Sequence, residues 1–99
     1  MLVEKKTDKK VAQMRYVEEK DQIYLGWIEA IPQNEGYGTR LIRLLQFIAK
    51  HDNKPIMLDA VADAIEFFKR NGFVVTVELD EFGLAEMRWT PKHLLNTSG

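Results

Sequence analysis

The sequence predicts an α/β (α+β) fold: a mixed, mainly antiparallel sheet with one central β-α-β crossover. Three observations predict it. Apolar residues alternate at period two near the start of the chain and again near its end. A Gly-x-Gly pair at residues 36–38 separates an apolar run from a stretch with helical spacing. The strand–helix–strand unit in the middle requires a parallel pair joined by a right-handed crossover.

The first strand signal is KKVAQMRYVEE. Val11, Gln13, Arg15 and Val17 share one face, and Ala12, Met14 and Tyr16 face a core. KDQ at 20–22 reads as a turn. IYLGWIEAI at 23–31 is apolar on both faces, the pattern of a central strand covered on both sides. Pro32 ends it, because proline donates nothing to a ladder. After the glycines, Tyr37, Leu41, Leu44, Leu45 and Ile48 fall on one helical face, with Arg40, Arg43 and Lys50 elsewhere. HDNKP breaks that helix, since Pro55 and the residue before it disfavour the α conformation. PIMLDA is a short buried strand. Asp63 is a candidate cap for a second helix that buries Ala64, Ile65 and Phe68. Gly72 suits the left-handed position just past its end. FVVTVEL is a strand, DEFG a turn, and LAEMRW a closing strand with Ala85, Met87 and Trp89 on one side.

The 99 residues fit one domain, 1–99, with 1–9 and 92–99 expected to be flexible or peripheral. Without cysteine the chain has no disulfide, thiolate nucleophile or Cys-based zinc site. No His, Asp and Glu cluster has metal-ligand spacing, so no metal is expected. A net charge of −1 gives no global pull toward nucleic acid or an acidic membrane. The apolar runs fall far short of the roughly 20 residues that cross a bilayer. The expectation is a cytoplasmic protein with no nucleic-acid or membrane partner.

The glycine junction carries the functional reading. A helix N-terminus presents unpaired N–H groups and a partial positive charge, and small residues before it let a phosphate approach. The alternative is that Gly36 and Gly38 only make a tight turn. A Rossmann site needs a third glycine where Leu41 stands, although Asp59 lies near the spacing of its acidic residue. A phosphate-binding P-loop fails, because no Gly-Lys-Ser/Thr follows.

QNEGYG, with Gln33, Gly36 and Gly38, is similar to the [Q/R]-x-x-G-x-[G/A] motif of the GNAT acyltransferases, which use acyl-coenzyme A. ADAIEFFKRNGF resembles that family's later helix and its run into a strand, A-x-x-F-Y-x-x-x-G-F, through Ala64, Phe67, Gly72 and Phe73. The resemblance covers roughly residues 10 to 90. It implies a minimal GNAT-like fold and an N-acetyltransferase that moves an acetyl group from acetyl-CoA to a primary amine of unknown acceptor. It also implies that amides of Asn34, Glu35, Gly36, Tyr37, Gly38 and Thr39, after Gln33, hold the pyrophosphate. The pantetheine arm would pair with Ile28, Ala30 and Ile31, in a slot where the central strand splays from PIMLDA. The second helix, with Phe67 and Phe68, would border that slot. Glu29 is the candidate general base by position, against an ordinary solvent-facing carboxylate.

The chain departs from the family in three places. Phe68 stands where a tyrosine often protonates the leaving thiolate. Val61 replaces an asparagine that contacts the cofactor arm. The two helices that usually wall the acceptor site have no room in the ~10 residues before KKVAQMRY. Hence a second reading is a degenerate relative that binds CoA or a protein partner without turnover. A third is a homodimer in which another copy supplies the missing wall.

Overall fold

The structure, a computed structural model, describes residues 2–7, 10–31 and 36–92, with side chains over 12–29 and 36–92. The elements are β1 (Leu2–Thr7), β2 (Lys10–Glu18), β3 (Ile23–Ile31), α1 (Tyr37–Asp52), β4 (Ile56–Val61), α2 (Ile65–Arg70), β5 (Val74–Val77) and β6 (Leu84–Trp89). They form a six-stranded sheet in the order β1-β2-β3-β4-β6-β5. Only β3 and β4 are parallel; every other pairing is antiparallel. The predicted architecture is therefore present. β1 is an addition: part of the segment expected to be flexible or peripheral pairs with β2 at the sheet edge.

Both crossovers run in the same direction across the sheet, so both helices lie on one face. Their side chains close one core with alternate strand residues: Met14, Ile23, Leu25, Ile56, Leu58 and Met87 from the sheet, and Leu41, Ile42, Leu45 and Phe68 from the helices. No helix covers the other face among the described residues. Trp27, on β3, is 44% exposed there. The expectation of a central strand covered on both sides is thus corrected: its second apolar face is open.

The helices carry two further corrections. Leu44 points to solvent, while Ile42 and Ala49 are fully buried. The apolar run in α1 is too dense for spacing alone to choose among its leucines. Asp63 caps nothing. It lies in a 3-10 turn, Ala62–Ala64, and Ala64 precedes α2 with no side-chain cap. The end of α2 follows expectation. Gly72 has φ +90°, its amide donates to Lys69 O at 3.0 Å, and the Phe73 amide donates to Phe68 O at 3.0 Å. These are the paired bonds of a Schellman stop. Asn53, at φ 63°, ends α1 in the same way, with the Lys54 amide reaching Ala49 O.

Candidate functional site

The site begins as a fault in the sheet. β3 and β4 pair only through Ile23↔Ile56, Tyr24↔Met57 and Leu25↔Leu58. Beyond that, β3 continues against β2 alone, up to Ile31, and β4 continues against β6 alone, up to Val61. The strands separate where β3 carries a bulge: Tyr16 faces Leu25 and Arg15 faces Trp27, leaving Gly26 extra. A bulge bends its strand and ends regular pairing. A Cβ at Gly26 would meet nothing closer than 3.7 Å, so the bulge does not require glycine for space. The expected slot is present, and Ile28, Glu29, Ala30 and Ile31 form its β3 edge.

α1 begins at Tyr37, after Gly36. Gly36 takes φ 82°, a left-handed turn that other residues adopt at a cost, and its carbonyl accepts the Arg40 amide at 3.0 Å. Among the described residues no side chain caps the helix, and its first turn holds no acidic residue. The first-turn amides of Gly38 and Thr39 have no acceptor within the helix. Arg40 adds a cation, its guanidinium 5.5 Å from the Tyr37 ring centre. Tyr37 is half-buried against the core, in keeping with packing by periodicity. Gln33, Asn34 and Glu35 lie outside the described residues.

On the helix side, Phe68 is 5% exposed and packs edge-on against Phe67 and Phe73, with ring centres 5.1 and 5.5 Å away. Its ring belongs to the core. Phe67 is partly buried and keeps some surface.

On the helix-free side, Glu29 accepts a hydrogen bond from Gln13 Nε2 at 2.9 Å. The register places both on the face opposite Met14 and Ile28. Tyr24 Oη donates to Asp59 Oδ2 at 2.8 Å, joining β3 to β4 at the mouth of the slot. That bond, with desolvation and the carboxylate charge, pushes the Tyr24 phenol above its ordinary value of 10.0. One carboxylate therefore stands on each strand flanking the slot. Spacing to a glycine motif had cast Asp59 as a decoy ribose ligand. Its partnership with Tyr24 depends on strand register, which no local motif encodes. Gln13 carried no sequence signal either.

Among the described residues no cluster of His, Asp and Glu could hold a metal, and no helix is long and apolar enough to cross a membrane. Neither protein-family models nor curated protein sequences match the chain. Solved structures do. The anti-CRISPR protein AcrVA5 superimposes with TM-score 0.69 and 24% identity over 90% of this chain and 98% of its own. An acyl-CoA N-acyltransferase from Pseudomonas aeruginosa gives 0.72 and 20%, over 90% of this chain and 67% of its own. The PaiA N-acetyltransferase from Thermoplasma acidophilum, in complex with coenzyme A, gives 0.63 and 16%, over 82% and 52%. The chain thus spans half to two-thirds of these two enzymes and nearly all of AcrVA5. The split sheet, the glycine-led helix and these superpositions agree: the chain has the fold of the GNAT N-acetyltransferases.

Proposed function

We propose that the protein binds acetyl-CoA and transfers its acetyl group to a primary amine that approaches from the helix-free face. The observation that carries this reading is the slot between β3 and β4, opening beside the uncapped first turn of α1. The pyrophosphate would rest on amides from Asn34 to Thr39. The pantetheine arm would complete the pairing that β3 lacks on that edge, along Ile28, Ala30 and Ile31, with Phe67 at its border. Chemistry then needs little from the protein beyond positioning. The amine nitrogen bonds to the thioester carbon, the carbon–sulfur bond breaks, and CoA leaves as thiolate. Glu29 takes the amine proton, directly or through a water. With no helix over Trp27, Tyr24 and Asp59 among the described residues, the acceptor face suits an amine carried on a bulky molecule.

One observation favours a second reading. Phe68 offers no proton to the leaving thiolate and is locked in the core. A chain that binds CoA without turnover meets the same geometry. Calorimetry with acetyl-CoA, on the parent and on Gly38→Val, tests the binding. The branched side chain is expected to abolish binding while the fold persists. Equal affinity in both refutes the site. Thiol release across a panel of amines, with binding intact, then separates enzyme from binder.

A further inference from the structure

Away from the slot, α1 and the end of α2 enclose an open groove of about 380 Å³, lined by Arg43, Gln46, Phe47, Lys50, Arg70 and Asn71. Gln46 donates to Asn71 O at 2.7 Å and so ties the two helices together across it. Arg43, Lys50 and Arg70 make no ion pair among the described residues, and no carboxylate lines the groove. This is not the average surface of the chain: 14 basic residues face 15 acidic ones overall, yet 37–51 contains no acid. Phe47 adds an aromatic ring that is 69% exposed.

The complementary feature is on the same molecule. The β5–β6 hairpin tip, ELDEFG at 78–83, holds Glu78, Asp80 and Glu81 and no base. Phe82, at its end, is 79% exposed, and Leu79 is 47% exposed. The tip is rigid. Asp80 Oδ1 accepts the amides of Phe82 at 2.8 Å and Leu84 at 3.0 Å, and Gly83 closes the turn at φ +76°. An exposed phenylalanine held on a fixed turn loses little freedom on docking. Asp80 is committed to the turn, whereas Glu78 and Glu81 form no ion pair among the described residues.

We infer that the hairpin tip of one copy docks in the α1–α2 groove of a second copy, with Phe82 against Phe47 and with Glu78 and Glu81 meeting Arg43, Lys50 and Arg70. The tip and the groove are separated in the chain by β5, which leads from the α2 end at Arg70 and Asn71 to the tip at 78–83. Two copies side by side and antiparallel can therefore exchange tips reciprocally, and the assembly closes as a two-fold dimer. This pairing uses side chains and a groove, not the exposed strand edges. It stands independently of acetyl transfer.

Sedimentation of the full chain at rising concentration tests it. A dimer is expected whose dissociation constant rises at least about tenfold between roughly 50 and 500 mM NaCl, as screening removes the charge attraction. Glu78→Lys with Glu81→Lys should sediment as a monomer, and so should Arg43→Glu with Arg70→Glu, each with the parent's circular dichroism. Mixing the two charge-reversed chains should restore a heterodimer through two tip–groove contacts, one of inverted sign and one of the parental sign. A peptide of residues 76–86 should bind the parent and not the Arg43→Glu, Arg70→Glu chain. A parent that stays monomeric to about 1 mM overturns the inference. A dimer that survives both charge reversals overturns it too, as do variants that fail to rescue each other. If an oligonucleotide, and not the peptide, binds the groove of a monomeric parent, the occupant is a nucleic acid and the inference is wrong.

Discussion

Phe68 sits at the meeting of two motifs, one of packing and one of chemistry, and the structure assigns it to packing. Its ring lies between Phe67 and Phe73 with 5% exposure. Truncation leaves a ring-sized cavity, so Phe68→Ala should cost about 3–5 kcal/mol; chemical denaturation of the two proteins measures it. Glu29 is a different case. Among the described residues its hydrogen-bond partner is Gln13, and it stands at the edge of the slot. If it takes the amine proton, Glu29→Gln keeps size and hydrogen bonding, and the transfer rate falls by about 10²–10⁴ while acetyl-CoA affinity holds. An unchanged rate would leave positioning alone to carry the reaction. Tyr24 gives a pH signature. Its folded pKa is raised, so its stabilisation is complete below 10.0 and disappears as pH rises through the higher folded value. Asp59→Asn should bring the phenol's spectrophotometric titration back toward 10.0.

At the scale of elements, the stop of α2 into β5 is the most demanding junction. Gly72 has φ +90°, and a Cβ there would sit 3.2 Å from Trp89 Cδ1. Gly72→Ala therefore combines backbone strain with crowding of the indole. We expect a loss of about 1–2 kcal/mol from the left-handed conformation alone, and a Tm lower by roughly 4–8 °C for each kcal/mol. That junction was legible beforehand, because Asn71-Gly72 announces a left-handed stop. The strands were legible for a similar reason: period-two alternation placed Ala12, Met14 and Tyr16 inside, and the structure buries all three. Spacing failed where it was degenerate. In LIRLLQFIAK nearly every rotation of a helical wheel presents an apolar stripe. Only the tertiary partners decide that Ile42 and Ala49 go in and Leu44 stays out. The pairs Gln13–Glu29 and Tyr24–Asp59 lie 16 and 35 residues apart in sequence. They follow from register and a bulge, neither of which a single sequence displays.

At the scale of the molecule, the described helices cover one face of the sheet and leave the other without one. The helix-bearing face supplies the core, and the open face supplies the carboxylates and Trp27. Acetyl-CoA bound in the slot would contact both half-sheets and the start of α1 at once. Such a ligand stabilises the native state by mass action, about 2.7 kcal/mol at a hundredfold excess over its Kd. A thermal-shift experiment should show the parent melting higher with acetyl-CoA and Gly38→Val unmoved. A parent that does not shift would remove the cofactor from the account and leave the fold as it stands.

The three rungs that join β3 to β4 have a mechanical consequence. On either side of them lies a self-sufficient antiparallel ribbon, β1-β2-β3 and β4-β6-β5. The core under α1 and α2 also joins the two ribbons, and the seam itself is short. Rotation about it widens or narrows the gap between Gly26–Ile31 and Asp59–Val61 without breaking a ladder bond, since no strand pairing spans that gap. Only the rungs at Ile23–Leu25 would have to break in the ladder for the two ribbons to separate, while the helical core, packed against both, would oppose it.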